Sequence, residues 1–160
     1  MGKSSLLNAL TRARAKIGDY SFTTLHPHVG IIEYEDFKQI SIADLPGFLP
    51  DVTRGLGTKY LHHLERCKII LLTIDLSSEK PLEQYNDMRN LLEKYDENIL
   101  KQKPTIIVGT KIDKANAYTN LVEFRKKINL PVIPVSAEKK INLRKLMTFM
   151  RDFSEQHLEN

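Results

Sequence analysis

The 160-residue sequence predicts an α/β fold, a mostly parallel β-sheet with helices on both faces. Two observations carry that expectation. Through the second half, the apolar runs Lys68–Asp75, Thr105–Val108 and Val132–Val135 alternate with amphipathic stretches. A run without polar alternation suits a strand covered on both faces, and strand–helix alternation makes the strands parallel. The second observation is that polar turns follow several of these strands. In an open parallel sheet, ligands bind past the carboxyl ends of the strands.

Each element has its own signal. Leu6, Leu7 and Leu10 recur at helical spacing and predict a helix over Ser4–Ala15. A looser stretch, Ile17–Pro27, leads to two β-rich segments, Gly30–Tyr34 and Gln39–Ala43, joined through Glu35-Asp36 as a hairpin. Prolines and glycines make Asp44–Gly57 a loop, and Leu56, Tyr60 and Leu64 share one face of a helix over Thr58–Arg66. After the strand Lys68–Asp75, the series Leu82, Tyr85, Met88, Leu92, Tyr95, Ile99 steps by threes and fours, as one long helix. A helix near Leu121–Ile128 separates the last two strands, and Leu143, Leu146, Met147 and Met150 mark the final helix.

At this length the chain, residues 1–160, reads as one domain with room for a real core. No apolar run approaches the roughly 20 residues of a membrane span, so no membrane insertion is expected. Lys3 and the polar residues after it do not read as a signal peptide. One cysteine, Cys67, rules out an internal disulfide, suits a reducing compartment and reads as a core residue at the mouth of a strand. The net charge of +4 permits contact with RNA but does not demand it. Clusters such as Arg125-Lys126-Lys127 and Lys139-Lys140 are most simply solvated helix ends and loops, and no DNA partner is expected. His26, His28, His62 and His63 lack metal-site spacing and read as surface or packing residues.

Four short segments carry chemistry. Gly2-Lys3-Ser4-Ser5 opens a helix, where backbone N–H groups favour anions; Lys3 could bridge phosphate oxygens and the Ser4 hydroxyl could bind Mg²⁺. Asp44-Leu45-Pro46-Gly47 follows a strand; the Asp could hold Mg²⁺ through water and the Gly47 N–H could approach a γ-phosphate. Thr110-Lys111-Ile112-Asp113 follows another strand. Its Asp carboxylate could accept the two donors on the guanine edge that adenine lacks, with the Lys111 stem along the base plane. Ser136-Ala137-Glu138 follows the last strand, and the Ala137 N–H could reach the base from the other side. Each segment alone is equally a plain helix start or strand-to-loop turn. Their order and spacing together resemble the guanine-nucleotide-binding domain of P-loop GTPases, a three-layer P-loop NTPase fold of the Ras-like G-domain type.

The intervening residues narrow the resemblance. Asp19-Tyr-Ser-Phe-Thr-Thr-Leu-His-Pro-His-Val-Gly30 is similar to switch I of the Obg family of GTPases, and Gly55-Leu-Gly-Thr-Lys-Tyr-Leu-His-His-Leu-Glu-Arg66 to its switch II helix. The likeness runs from Met1 to about Phe153. It implies a GTP- and GDP-binding enzyme that uses Mg²⁺, aided by a bound monovalent cation, and hydrolyses slowly. Phe22, Thr23 and Thr24 would then lie at the nucleotide, with Thr24 completing the Mg²⁺ shell beside Ser4 and Asp44. Catalysis would come from Lys3, Thr24 and the Gly47 backbone, because Phe48 stands where related enzymes place a water-orienting glutamine. The resemblance further implies a ribosomal subunit or rRNA as partner, in large-subunit assembly, cytoplasmic in bacteria and mitochondrial or nucleolar in eukaryotes.

Two departures from the family pattern set further expectations. Thr110 replaces the usual asparagine of the base motif and loses its bridging amide, which predicts weaker affinity. The first strand and the first half of the phosphate loop have no counterpart before Gly2, as in a fragment of a longer GTPase with Met1 an internal methionine. That strand would be central in the sheet, and its loss would leave neighbouring strands with unpaired backbone groups, at roughly 1–3 kcal/mol each where buried. The broken loop leaves open a rival of another class, a non-catalytic G-domain remnant that binds RNA or protein. An ATP-using P-loop enzyme is a third reading, disfavoured by Asp113.

Overall fold

The computed structural model describes residues 2–11, 16–17, 28–45 and 62–158. They fall into two compact units, Lys3–Cys67 in one and Lys68 onward, with Gly2, in the other.

In the first unit, helix α1 (Lys3–Leu10) buries Leu6, Leu7 and Leu10. Thr11 closes it by donating both its backbone N–H and its hydroxyl to the Leu7 carbonyl, at 3.1 and 2.9 Å. The expected helix ran on to Ala15, and residues 12–15 lie outside the described ones. Strands β1 (Lys16–Ile17), β2 (His28–Glu33) and β3 (Gln39–Asp44) form an antiparallel sheet in the order β1-β2-β3. The expected hairpin is present, in a register that sets Glu33 opposite Gln39 and His28 opposite Asp44. Along β2, Gly30 and Ile32 are buried while Ile31 and Glu33 are exposed, the period-two alternation of a strand with one covered face. The turn spans Tyr34 to Lys38 and puts Phe37, not the Glu35-Asp36 pair, in the left-handed region at φ 64°. Gly30 has a packing reason: a Cβ there would fall 2.4 Å from Thr11 Cγ2 and 3.1 Å from Leu7 Cδ1, so only glycine lets α1 lie this close to β2. Of the second expected helix, residues 62–66 are described and helical (α2), with His63 and Leu64 buried and the half-buried Cys67 thiol 3.2 Å from the His63 carbonyl.

In the second unit, β4 (Ile70–Asp75), β5 (Thr105–Thr110) and β6 (Val132–Pro134) form a parallel sheet in the order β4-β5-β6. All six residues of β5 are buried, as its central place requires. The crossovers are helical: α3 (Pro81–Tyr95) and α4 (Ile99–Gln102) between β4 and β5, α5 (Ala117–Lys127) between β5 and β6. Helix α6 (Leu143–Leu158) follows, with Leu146 and Met150 buried. Tyr85 of α3 meets Phe124 of α5 edge-on at 5.8 Å between ring centroids.

The stretch expected as one helix from Leu82 to Ile99 is two. Asp96 leaves helical geometry at φ −148° and ψ 111°, and its carboxylate accepts the Asn98 N–H at 2.9 Å. That local side-chain bond competes with helix continuation, so Ile99 reaches the core from α4.

Candidate functional site

The phosphate-type residues of the first unit come together although forty positions apart. Gly2 sits at φ 79°, with nothing within 4 Å of where a Cβ would be, so its requirement is backbone conformation rather than space. Lys3 and Ser4 then begin α1, and β3 delivers Asp44 at its carboxyl end. The Ser4 hydroxyl donates to Asp44 Oδ2 at 3.0 Å. The Lys3 ammonium donates to the Leu45 carbonyl and lies 3.6 Å from Asp44 Oδ1. Burial lowers the Lys3 pKa, and the Asp44 charge and hydrogen bond partly oppose that shift. Ser5 points to solvent from the same turn of α1. Phe22, Thr23, Thr24, Pro46 and Gly47 lie outside the described residues, as does Phe48.

The base-type residues gather in the second unit. β5 ends on Thr110, and Lys111 turns the chain at φ 60°. The Ile112 N–H then bonds to the Val135 carbonyl at 3.1 Å, which ties the Thr110–Asp113 turn to the end of β6. The buried Ser136 hydroxyl hydrogen-bonds Asp113, and that bond, ahead of a contribution from Lys114, holds the Asp113 carboxyl below its ordinary range. Ser136 Oγ also accepts the Lys139 N–H at 3.0 Å. The Lys114 ammonium lies 3.3 Å from both Asp113 Oδ2 and Glu138 Oε2. Ala137, between Ser136 and Glu138, is half-buried.

Thr110 is buried, and its hydroxyl donates to the Ile74 carbonyl of β4 at 3.1 Å. The hydroxyl that stands for the usual amide is thus committed to the sheet. The Lys111 ammonium is 2.7 Å from Asp75 Oδ2. Asp75 and Lys114 were missed from the sequence, and Asp75 had a signal. It ends β4 just as Asp44 ends β3, so inspecting the turn after every strand would have found it.

His62 is exposed, with its ring 3.5 Å from Glu65, and among the described residues no group of three or more His, Cys, Asp or Glu is placed to hold a metal ion.

A strand end that presents a carboxylate to a Gly-Lys-Ser helix start, in a chain that also builds an Asp113–Ser136 turn, is the arrangement expected of a nucleotide-binding domain. A family model described as "50S ribosome-binding GTPase" matches residues 1–111, more than half of the chain. The chain belongs to that family. Among curated relatives of this 50S ribosome-binding GTPase family member, mitochondrial ribosome-associated GTPase 2 of Homo sapiens is 41% identical over 160 residues, 99% of this chain and 39% of the relative. GTPase Obg of Phytoplasma mali is 39% identical over 163 residues, 100% of this chain and 38% of the relative. The chain therefore spans about two fifths of the length of these relatives. Among solved structures, the G domain of the T. maritima FeoB iron transporter is 25% identical with a TM-score of 0.67, over 96% of this chain and 91% of that one. The apo form of the same transporter's cytosolic domain gives a TM-score of 0.70 at 25% identity, over 96% of this chain and 59% of that one. The expected fold class, a P-loop GTPase domain with a parallel sheet, is what the chain has.

Proposed function

We propose that this chain binds GTP and GDP and hydrolyses GTP slowly with Mg²⁺, as the nucleotide-binding part of an Obg-like ribosome-associated GTPase. The observation that carries this reading is the contact of Lys3 and Ser4 with Asp44 and Leu45 at the start of α1. Such a contact puts an ammonium and a helix N-terminus, which suit phosphate oxygens, beside hydroxyl and carboxylate oxygens that suit a cation. The donors fit Mg²⁺, a hard cation that takes oxygen ligands and keeps several waters. Ser4 would hold it directly and Asp44 through water, with Thr24 as a further ligand; bound there, the ion neutralises phosphate charge. Lys3 would bind the terminal phosphates, exchanging the Leu45 carbonyl for a phosphate oxygen. Asp113, kept ionised by Ser136, would read the guanine edge, with the Lys111 stem along the ring and the Ala137 N–H at its rim. No side-chain base follows Gly47, where Phe48 stands, so Lys3, Thr24 and the Gly47 backbone would act without one.

The family's description and the relative named as a mitochondrial ribosome-associated GTPase support a role with the large ribosomal subunit. That relative together with the bacterial GTPase Obg supports a mitochondrial or cytoplasmic location. No described helix is long and apolar enough to cross a membrane.

Titration with fluorescent GDP, with and without Mg²⁺, tests the reading. Wild type should bind, and Asp113→Asn should lose GDP and gain xanthosine diphosphate, whose base offers the complementary edge. Absence of binding at high micromolar concentration would favour the interaction-module rival. GDP binding unchanged in Asp113→Asn would refute the assignment of the base.

A further inference from the structure

We infer that Asp75, at the end of β4, is a positioning residue for guanine binding that aims the side chain of Lys111; this rests on the GTP reading above. Lysine is a poor candidate for holding one place by itself. It carries large rotamer entropy on a flexible four-carbon stem. Here Lys111 also occupies the left-handed region at φ 60°, a conformation that is unfavourable for a residue with a Cβ. A turn that accepts this cost, and then leaves the ammonium free to wander, would gain nothing from it.

The ammonium is instead fixed from β4. Lys111 Nζ donates to Asp75 Oδ2 at 2.7 Å, and Asp75 is nearly buried, its side chain 14% exposed. The other oxygen, Oδ1, is engaged separately by the Ser77 N–H at 2.9 Å and the Ser77 hydroxyl at 2.6 Å. The Asp75 N–H donates to Gln84 Oε1 of α3 at 3.2 Å. One step further out, the Asn120 side chain of α5 donates to the carbonyls of Leu76 and Ser78 at 2.8 and 2.9 Å. The Leu76 N–H returns to the Thr110 carbonyl at 3.1 Å, immediately before Lys111. The carboxylate is thus divided between a turn that holds it and a lysine that it holds. Burial alone would raise the Asp75 carboxyl, but the Lys111 and Ser77 hydrogen bonds outweigh it, so the group is ionised at neutral pH. Exposed ion pairs contribute little. This one differs because one partner is largely buried and oriented by bonds independent of the pair. Lys111 and Asp113 share a single turn, so fixing the lysine stem also fixes the surface against which a base would lie beside Asp113.

The test is a double-mutant cycle on the dissociation rate of fluorescent GDP, with thermal melts of every variant. Asp75→Asn keeps the shape and an acceptor for Ser77 while removing the charge. It should speed GDP dissociation roughly tenfold, the lower end of the scale of one hydrogen bond to a charged group. Lys111→Met should do the same or more, and the double variant should be no faster than Lys111→Met alone. Asp75→Glu should recover part of the loss. Should Asp75→Asn fail to fold, Ser77→Ala decides, with a smaller acceleration that also vanishes in the Lys111→Met background. Unchanged dissociation, or effects that multiply in the double variant, overturns the inference while GDP binding stands. A wild-type chain that binds no GDP overturns the GTP reading and this inference with it.

Discussion

Replacing Gly30 by alanine tests how α1 is held at the distance that lets Lys3 and Ser4 meet Asp44. The added methyl would lie 2.4 Å from Thr11 Cγ2 and 3.2 Å from Thr11 Cβ, well inside contact distance. A threonine on a surface could turn away. Thr11 is 7% exposed, and its hydroxyl donates to the Leu7 carbonyl at 2.9 Å, so rotation breaks that bond. Overpacking a site of this kind costs about 1–3 kcal/mol, and the alternative of giving up the hydroxyl bond costs about 0.5–1.5 kcal/mol. Alanine stiffens the unfolded chain relative to glycine and returns about 0.4–1 kcal/mol. The expected net loss is about 1–2 kcal/mol, read as a fall in the urea midpoint at constant slope. The decisive control is Thr11→Ser in the Gly30→Ala background, which removes the clashing methyl and keeps the hydroxyl. It should restore most of the loss. Because α1 also carries Lys3 and Ser4, the single variant should weaken fluorescent-GDP binding, and the pair should recover it. A Gly30→Ala chain as stable as wild type, or one that Thr11→Ser does not rescue, would refute the claim that close α1–β2 approach is why glycine stands there.

Two further expectations concern the charged groups. Asp44→Asn removes the contributions that raise the Lys3 pKa and leaves burial unopposed, so that pKa should fall further below 10.5, as followed by NMR of the Lys3 side chain. A lysine whose folded pKa is lowered makes the folded state bind fewer protons than the unfolded one. Stability should therefore rise with pH between the folded value and 10.5, over a wider window in the variant. Asp113 behaves in the opposite sense: with its folded pKa below 3.8, its contribution is present above 3.8 and is lost as pH falls through the folded value. Ser136→Ala removes the largest cause of that lowering, so the Asp113 carboxyl should titrate closer to 3.8 by carbon NMR; an unmoved titration would mean another group holds the carboxylate.

What the sequence discloses is what depends on residue type and period. The apolar runs announce β4, β5 and β6, and the leucine triplet announces the buried face of α1. The motifs of Lys3, Ser4 and Asp44 presuppose a strand end facing a helix start, and in the structure these three residues are in contact. What stays hidden depends on partners distant in the chain. Its place at a strand end marks Asp75 as a candidate, but its partner emerges only when the β4–β5 register sets it opposite Thr110, one residue from Lys111. The same register spends the Thr110 hydroxyl on the Ile74 carbonyl. The break at Asp96 is a different failure, since the apolar period continues through it and only the side-chain bond to Asn98 ends the helix. A two-residue strand such as β1 is too short for any period to announce.

Lys3 and Lys111 are held by the same device. Each lies at or next to a residue in the left-handed region, Gly2 before Lys3 in one case and Lys111 itself in the other. Each ammonium rests on a carboxylate at the end of a strand, Asp44 of β3 and Asp75 of β4. The difference lies in how tightly the carboxylate is committed. Asp75 is 2.7 Å from its lysine and has its second oxygen tied by Ser77. Asp44 is 3.6 Å from Lys3 and gives its second oxygen to the Ser4 hydroxyl, itself a group proposed to bind Mg²⁺. On the proposed reading this asymmetry is functional. A lysine that must transfer to a phosphate is better held at a longer distance from its carboxylate, because breaking a short, well-oriented pair would subtract from the binding energy. A lysine that only lines a base has no partner to exchange and is better held firmly. Strengthening the Lys3–Asp44 pair should therefore weaken nucleotide binding, whereas weakening the Lys111–Asp75 pair should weaken it too. That opposition of sign would not arise if both pairs served stability alone.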